Sequence, residues 1–415
     1  MKQRRQWMMI GLLVMVLIAS SLAHGLTPRS AAQDSDSAPL VQGNNQFAFD
    51  LYQRISTQDG NLIVSPYSIS LALALTYAGA RGSTESQMAD VLHFVLPQDQ
   101  IPGAFSALDA AMPKDSGEDD SADEFRLSIA NALWGQPDYP FLPEYLDLVN
   151  QNFGAGLQAV DFAADPDAAR VVINDWVAEQ TRQRILDLIK PGILTPDTRL
   201  VLTNAIYFKA AWQSQFMPEA TREGPFTLLD GSSVDVPLMN QTATFGYAAG
   251  EGYQVVVLPY VGERMAMMIL LPDDDQFAAF EQGLNADVVN NTLAALNWQD
   301  VNLTLPRFEY SAEFGLADAL KALGMRDAFA PGVADFSGMS AQNDLFVQDV
   351  VHKAFVKLDE TGTEAAAATA VIIGVTSAPM DPPIEVRVDH PFLYLIYDQQ
   401  SGSILFMGRV LNPAG

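Results

Sequence analysis

Cysteine is absent from all 415 residues. That excludes disulfides, thiol nucleophiles and thiolate metal sites, and it leaves the redox compartment unread. Basic side chains are scarce, with 23 Lys and Arg against 50 Asp and Glu, for a net charge of −27. So negative a chain repels polyanions, which argues against nucleic acid and anionic membrane surfaces as partners. There are four histidines. No two of them stand at the i, i+4 spacing of a zincin pair. The G-x-S-x-G elbow, the phosphate-binding G-x-x-x-x-G-K-[ST] loop and the dinucleotide G-x-G-x-x-G turn are all missing. A Ser-His-Asp triad dispersed along the chain is not excluded by counting alone. Paired carboxylates such as Asp119-Asp120 and Asp273–Asp275 read as turn and surface residues. No cofactor and no metal are expected.

Hydrophobic residues make up 49% of the chain, enough for a large core. Lys2–Arg5 is a basic lead into the apolar run Trp7–Ala19, and Ser21-Leu22-Ala23 has the small-x-small form of a cleavage site. Residues 1–23 therefore read as a secretory signal, with an uncleaved membrane anchor as the alternative. Residues 24–43, rich in Ser, Ala, Asp and Pro, read as a disordered leader. The folded domain is expected over 44–415.

Apolar periodicity predicts helices at Asn44–Ile55, Ile69–Ala78, Thr84–Leu92 with Thr84 as cap, Gln98–Met112, Leu142–Phe153, Asp165–Leu188, Gln276–Leu296 and Gly315–Leu323. In Asp165–Leu188 the apolar positions are Val171, Val172, Trp176, Ile185 and Leu188. Strand-like runs are predicted at Asn61–Ser65, Phe125–Trp134, Leu200–Phe208, Val234–Met239, Tyr253–Leu258, Met265–Leu271, Val301–Phe308, Val347–Leu358 and three C-terminal segments. Helices dominate the first half and strands the second. With no repeat and no interior linker, that pattern predicts one α+β domain. The acidic stretch Lys114–Glu124 reads as a solvated loop. His352 lies in an apolar strand pattern and reads as a buried, hydrogen-bonded structural histidine.

One stretch fits neither core nor ordinary loop. Glu360–Pro383 opens on small residues, continues through the β-prone Val371–Val375 and ends with three prolines. Thr361-x-x-Glu364 followed by Ala365–Ala368 has the form of a capped helix. The same small side chains would also let the segment slide between two existing strands, where Lys, Phe or Pro would clash.

Seven segments, in order, strongly resemble the serpin superfamily of serine protease inhibitors. They are N-L-I-V-S-P-Y-S-I at 61–69, I-N-D-W-V at 173–177, T-N-A-I-Y-F-K at 203–209, V-H-K-A at 351–354, E-x-G-T-E-A-A at 360–366, D-H-P-F-L at 389–393 and F-M-G-R-V at 406–410. The resemblance runs from about Gln46 to Pro413. It implies a single domain with a large mixed β-sheet, smaller sheets, about nine helices and an exposed reactive-centre loop. It also implies a suicide-substrate inhibitor and not an enzyme. A serine protease attacks the loop and forms an acyl-enzyme, and the loop then inserts into the main sheet and distorts the tethered protease. By the same resemblance the hinge is Glu360, Gly362, Thr363, Glu364, Ala365, Ala366, Ala367 and Ala368. Thr363, Ala365, Ala367, Thr369, Val371 and Ile373 would face the core once inserted. About ten inserted residues, each gaining roughly 0.5–1.5 kcal/mol from hydrogen bonds, give a drive on the order of 10 kcal/mol. The attacked bond falls at Thr376-Ser377, with Val375 beside it and Val375 or Met380 as alternative registers. A small β-branched residue there suits an elastase-like or subtilisin-like pocket. Ser65, Ser68, Asn204 and His352 match a polar cluster that controls sheet opening. Trp212 matches the tryptophan where the loop first enters, and Arg307 is a candidate partner for Glu360. Gln98–Met112 carries no Lys or Arg, so heparin activation is not expected. The chain is expected to be a monomer. The alternatives are a non-inhibitory serpin acting by binding or chaperoning, and inhibition of cysteine proteases.

Overall fold

The computed structural model describes residues 33–113, 125–153, 157–342, 344–363 and 382–415. Two units are distinguished, residues 1–36 and 37–415, and of the first only the opening turn of a helix is described. In chain order the elements are α1 (Gln33–Ile55), β1 (Leu62–Val64), α2 (Pro66–Tyr77), α3 (Gly82–Leu92), α4 (Ile101–Ala111), β2 (Arg126–Gly135), α5 (Pro143–Phe153), β3 (Leu157–Ala159), α6 (Pro166–Gln180) and β4 (Leu200–Ala211). There follow β5 (Arg222–Thr227), β6 (Ser233–Gly250), β7 (Tyr253–Pro259), β8 (Met265–Pro272), α7 (Phe277–Gly283), α8 (Ala286–Ala295), β9 (Asn297–Pro306), β10 (Phe308–Gly315) and α9 (Ala317–Leu323). The chain closes with β11 (Val350–Leu358), β12 (Gly362–Thr363), β13 (Ile384–Arg387), β14 (Phe392–Asp398) and β15 (Ile404–Val410).

Two sheets organise these strands. A nine-stranded sheet runs β1-β15-β14-β8-β7-β6-β9-β13, with β5 on β6. Every residue of β8, β14 and β15 is buried, as largely apolar runs covered on both faces should be, and the two charges among them, Asp398 and Arg409, are paired with Arg264 and Glu281. The second sheet runs β10-β11-β12-β4-β2-β3. α2 packs against β15 of the first sheet and β4 and β2 of the second. Its sequence, P-Y-S-I-S-L-A-L-A-L-T-Y, has no polar stripe, and eleven of its residues are buried. A helix apolar all round belongs inside. Its start therefore lies within the core, where Ser65 caps it by accepting from Ser68 N at 3.3 Å. On the other face of the second sheet a smaller core, including Trp134, Phe162, Ile173 and Ile185, seats α6 and the turns after it.

Several expectations are corrected. α1 begins at Gln33, with Leu40 and Val41 buried, so residues 33–43 are helical and not part of a disordered leader. α6 stops at Gln180, because Arg182 and Gln183 take left-handed backbone angles. Ile185 and Leu188 are buried from the turns that follow, whereas Val171 and Val172 are 42% and 51% exposed. The run 276–296 is two helices, with Asn285 capping the second by accepting from Val288 N at 3.1 Å. Thr84 is no cap: its Oγ1 accepts from Asp335 N at 2.9 Å, and Arg81 holds the cap position of α3. Nine α-helices are present among the described residues, and none is long and apolar enough to cross a membrane. The apolar run Trp7–Ala19 and the acidic stretch 114–124 lie outside them.

Candidate functional site

The second sheet is unfinished at its centre. β11 and β4 pair in parallel from Val350↔Leu202 to Ala354↔Ile206. Above that point they part, and β12 lies between them, antiparallel to both. Thr363 pairs with Leu358 on one side and Ala210 on the other, while Gly362 faces Ala211. Only glycine fits at 362, since a Cβ there would stand 2.1 Å from the Ala210 carbonyl oxygen. The seam between β11 and β4 thus already holds the first two residues of a strand that the rest of the sheet could extend.

Two aromatic rings form the gate at the mouth of this seam. Trp212 and Tyr260 stack with centroids 4.6 Å apart and planes 10° from parallel. Trp212 N donates to the Thr361 carbonyl at 2.8 Å, and its indole Nε1 donates to the Asp359 carbonyl at 3.1 Å. The Tyr260 and Thr363 hydroxyls share a hydrogen bond at 2.7 Å, with both residues buried. Thr361 is held in turn by Asp359 Oδ1, which accepts from its amide at 3.0 Å and its hydroxyl at 2.6 Å.

A charged latch closes the segment before β12. Glu360 is buried, and both its oxygens accept from Arg307 Nε, at 2.8 and 2.7 Å. Arg307 Nη2 and the Thr221 hydroxyl complete the set. Burial works against the Glu360 carboxylate, but the bonds from Arg307 and Thr221 outweigh it and hold its pKa below the usual value. The Arg307 side chain is 41% exposed, so solvent weakens the pair. Arg307→Met is expected to lower the unfolding free energy by about 1–2 kcal/mol at neutral pH. A carboxylate with a depressed pKa stabilises above its unfolded pKa, so the deficit should shrink as pH falls below about 4. Urea titration of both proteins at pH 7 and pH 3.5 measures this, and a deficit independent of pH would sink it.

Below the seam sits a closed polar network. In the parallel register His352 faces Asn204, and Asn131 faces Asn204 from β2. Asn204 Nδ2 donates to Asn131 Oδ1 at 2.6 Å, and Asn131 Nδ2 donates to the Ser68 carbonyl at 2.9 Å. Ser68 Oγ reaches Asn204 Oδ1 at 3.1 Å. Ser65 N donates to His352 Nε2 at 3.1 Å, and His352 Nδ1 bonds Asn204 Oδ1. Because Nε2 accepts, the proton must sit on Nδ1, and the ring is neutral. Burial pushes the His352 pKa down to about 3. The network ties α2 to both strands of the seam at the level where a deeper insertion would have to part them.

The family model described as "Serpin (serine protease inhibitor)" matches residues 42–413. The chain belongs to the serpin family. An uncharacterised serpin-like protein of Thermococcus kodakarensis is 41% identical over 389 residues, 93% of this chain and 89% of its own. Leukocyte elastase inhibitor of Sus scrofa is 41% identical over 385 residues, 90% of this chain and 99% of its own. Among solved structures, uncleaved ovalbumin superposes with a TM-score of 0.80 at 30% identity, covering 89% of this chain and 99% of ovalbumin. The thyroxine-binding globulin complex with thyroxine gives 0.78 at 30% identity, covering 90% and 99%.

Of the residues expected to matter in this serpin, Ser65, Ser68, Asn204 and His352 meet in the polar network. Trp212, Glu360, Gly362, Thr363 and Arg307 meet at the mouth of the seam. Glu364–Ala368, Val375, Thr376, Ser377 and Met380 lie outside the described residues. Sequence reasoning missed Asn131, Tyr260, Thr221 and Asp359. Asn131 had a signal, as a lone amide in the apolar strand I-A-N-A-L-W. Tyr260, in a strand-end P-Y-V-G, had none.

Proposed function

We propose that this serpin inhibits serine endopeptidases as a suicide substrate, carrying its cleaved loop into the seam between β4 and β11. The observation that carries the reading is the docked Gly362-Thr363 pair, already in register with both strands. Continuing that register inward would set Ala365, Ala367, Thr369 and Val371 on the core side, opposite Phe208 and Val356, Ile206 and Ala354, Asn204 and His352, and Leu202 and Val350. These are small or apolar residues meeting apolar neighbours, with the threonine at the polar network. On the other face Glu364 would come between Lys209 and Lys357, where a carboxylate has cationic partners. Such complementarity would be idle in a protein whose loop stayed outside. The proposed attacked bond is Thr376-Ser377, and the proposed targets are elastase-like or subtilisin-like enzymes. The small residue at 376 and the likeness to leukocyte elastase inhibitor both support that class. Export through the signal at 1–23 belongs to the same proposal.

The test is incubation with pancreatic elastase and with subtilisin. The expected result is an SDS-resistant covalent complex, lost protease activity and a cleaved fragment beginning at Ser377 by mass spectrometry. If both proteases cut the loop and stay fully active, inhibition of this class is wrong.

A further inference from the structure

An open cleft of about 500 Å³ lies beside the gate, lined by Gln213, Ser214, Thr244, Glu263, Trp298 and Gln399. Trp298 is 55% exposed, an uncommon state for so large an apolar ring. Its cross-strand partner is Gly246, and its Cζ2 lies 3.8 Å from where a Cβ on that glycine would stand. The hydrogen-bond capacity around the ring is partly committed. Thr244 Oγ1 donates to Asp300 at 2.9 Å, and Gln399 Nε2 donates to the Glu263 carbonyl at 2.7 Å. That bond fixes the Gln399 amide and leaves its carbonyl oxygen. The side chains of Gln213, Ser214 and Glu263 make no hydrogen bond among the described residues.

The set combines one aromatic platform, amides and a hydroxyl that both donate and accept, and a single carboxylate. No basic residue lines it, so phosphate and sulfate have no counter-charge. A purely apolar guest would strand the polar groups, and a cation would leave the Gln213, Ser214 and Trp298 donors idle. A pyranose uses all of them: its C–H face stacks on indole, and its hydroxyls both give and take hydrogen bonds. We propose that this cleft binds a neutral oligosaccharide, with Trp298 stacking on one sugar and Gln213, Ser214, Gln399 and Glu263 holding its hydroxyls.

The position gives such binding a consequence. Gln213 and Ser214 directly follow Trp212, and Pro259, also in the cleft wall, directly precedes Tyr260. Gln213 N donates to the Pro259 carbonyl at 2.9 Å, so the two walls are joined behind the stacked rings. A bound sugar would brace the backbone that presents both rings to Thr361 and Thr363. This second step rests on the inhibitory reading above; binding itself does not.

Calorimetric titration of the full chain with maltohexaose, cellohexaose, mannohexaose and chitohexaose tests the site without any protease. At least one should bind, with affinity falling about three- to tenfold in Trp298→Ala, as loss of one stacking contact implies. Glu263→Gln should weaken binding less, because it keeps one acceptor oxygen. Circular dichroism of both variants shows whether the fold is intact. The site is refuted if none of the four binds, if Trp298→Ala binds as well as the parent, or if argininamide binds while the sugars do not.

Discussion

On the proposed mechanism, Thr363→Arg is expected to turn the protein from an inhibitor into a substrate. Thr363 is 1% exposed, its hydroxyl bonds Tyr260, and its backbone is paired on both sides. Arginine at this position would be expelled from that space in the starting state and would have to re-enter it before any deeper residue could follow. Among the described residues no carboxylate is hydrogen-bonded to Thr363; the hydroxyl of Tyr260 is the partner in place. Burying an unpaired guanidinium costs several kcal/mol. Even about 3 kcal/mol added to the insertion barrier slows it more than a hundredfold. Hydrolysis of the acyl-enzyme would then win, releasing active protease and a cut chain. The readout is the fraction of chain appearing as SDS-resistant complex, with loss of nearly all of it expected. Thr363→Val, which keeps the shape and drops only one hydrogen bond, should retain most of the complex. Unchanged inhibition by the arginine variant would rule out insertion at Thr363, whatever else the loop does.

The reach of sequence reasoning differed between the parts of the seam, for physical reasons. Gly362 was placed by motif resemblance and its constraint came only from the structure, where a Cβ would meet the Ala210 carbonyl; the rest of the expected hinge, Glu364–Ala368, lies outside the described residues. The strands of the seam were legible because each is long and β-prone. α6 was overextended because Ile185 and Leu188 continue an apolar spacing that the chain serves with turns, not helix. The partners of the polar network were harder. Nothing in the spacing of Ser65, Asn131 and His352 brings them together; α2 does so, by lying buried between two sheets. Tyr260 is further still from legibility, since its role depends on stacking with Trp212 across an isolated pair of strand ends. Motif resemblance supplied some of these contacts and missed others, and geometry alone supplied Tyr260, Thr221 and Asp359.

Acid should loosen the seam through His352, and the sign follows from the network. The folded pKa is about 3, far below the roughly 6.5 of an unfolded histidine. The folded state therefore binds fewer protons, and the stabilisation is complete above about pH 6.5 and declines as pH falls toward the folded value. The difference in pKa amounts to about 4–5 kcal/mol in full, and about 3 kcal/mol of it is gone by pH 4. The structural cause is specific. Nε2 already accepts from Ser65 N, so a proton placed there meets an N–H and breaks the tie between α2 and β11. His352→Gln offers a control that does not titrate, with an amide oxygen able to accept from Ser65 N and an amide nitrogen able to donate to Asn204. Unfolding free energies of both proteins at pH 7 and pH 4 isolate the effect, because every other titrating group is common to the two. The parent should lose about 3 kcal/mol more than the variant over that interval. Amide exchange at 202–206 and 350–354 should quicken in the parent over the same interval and stay nearly flat in His352→Gln. Equal pH dependence in the two proteins would mean that His352 is not what holds the seam against acid.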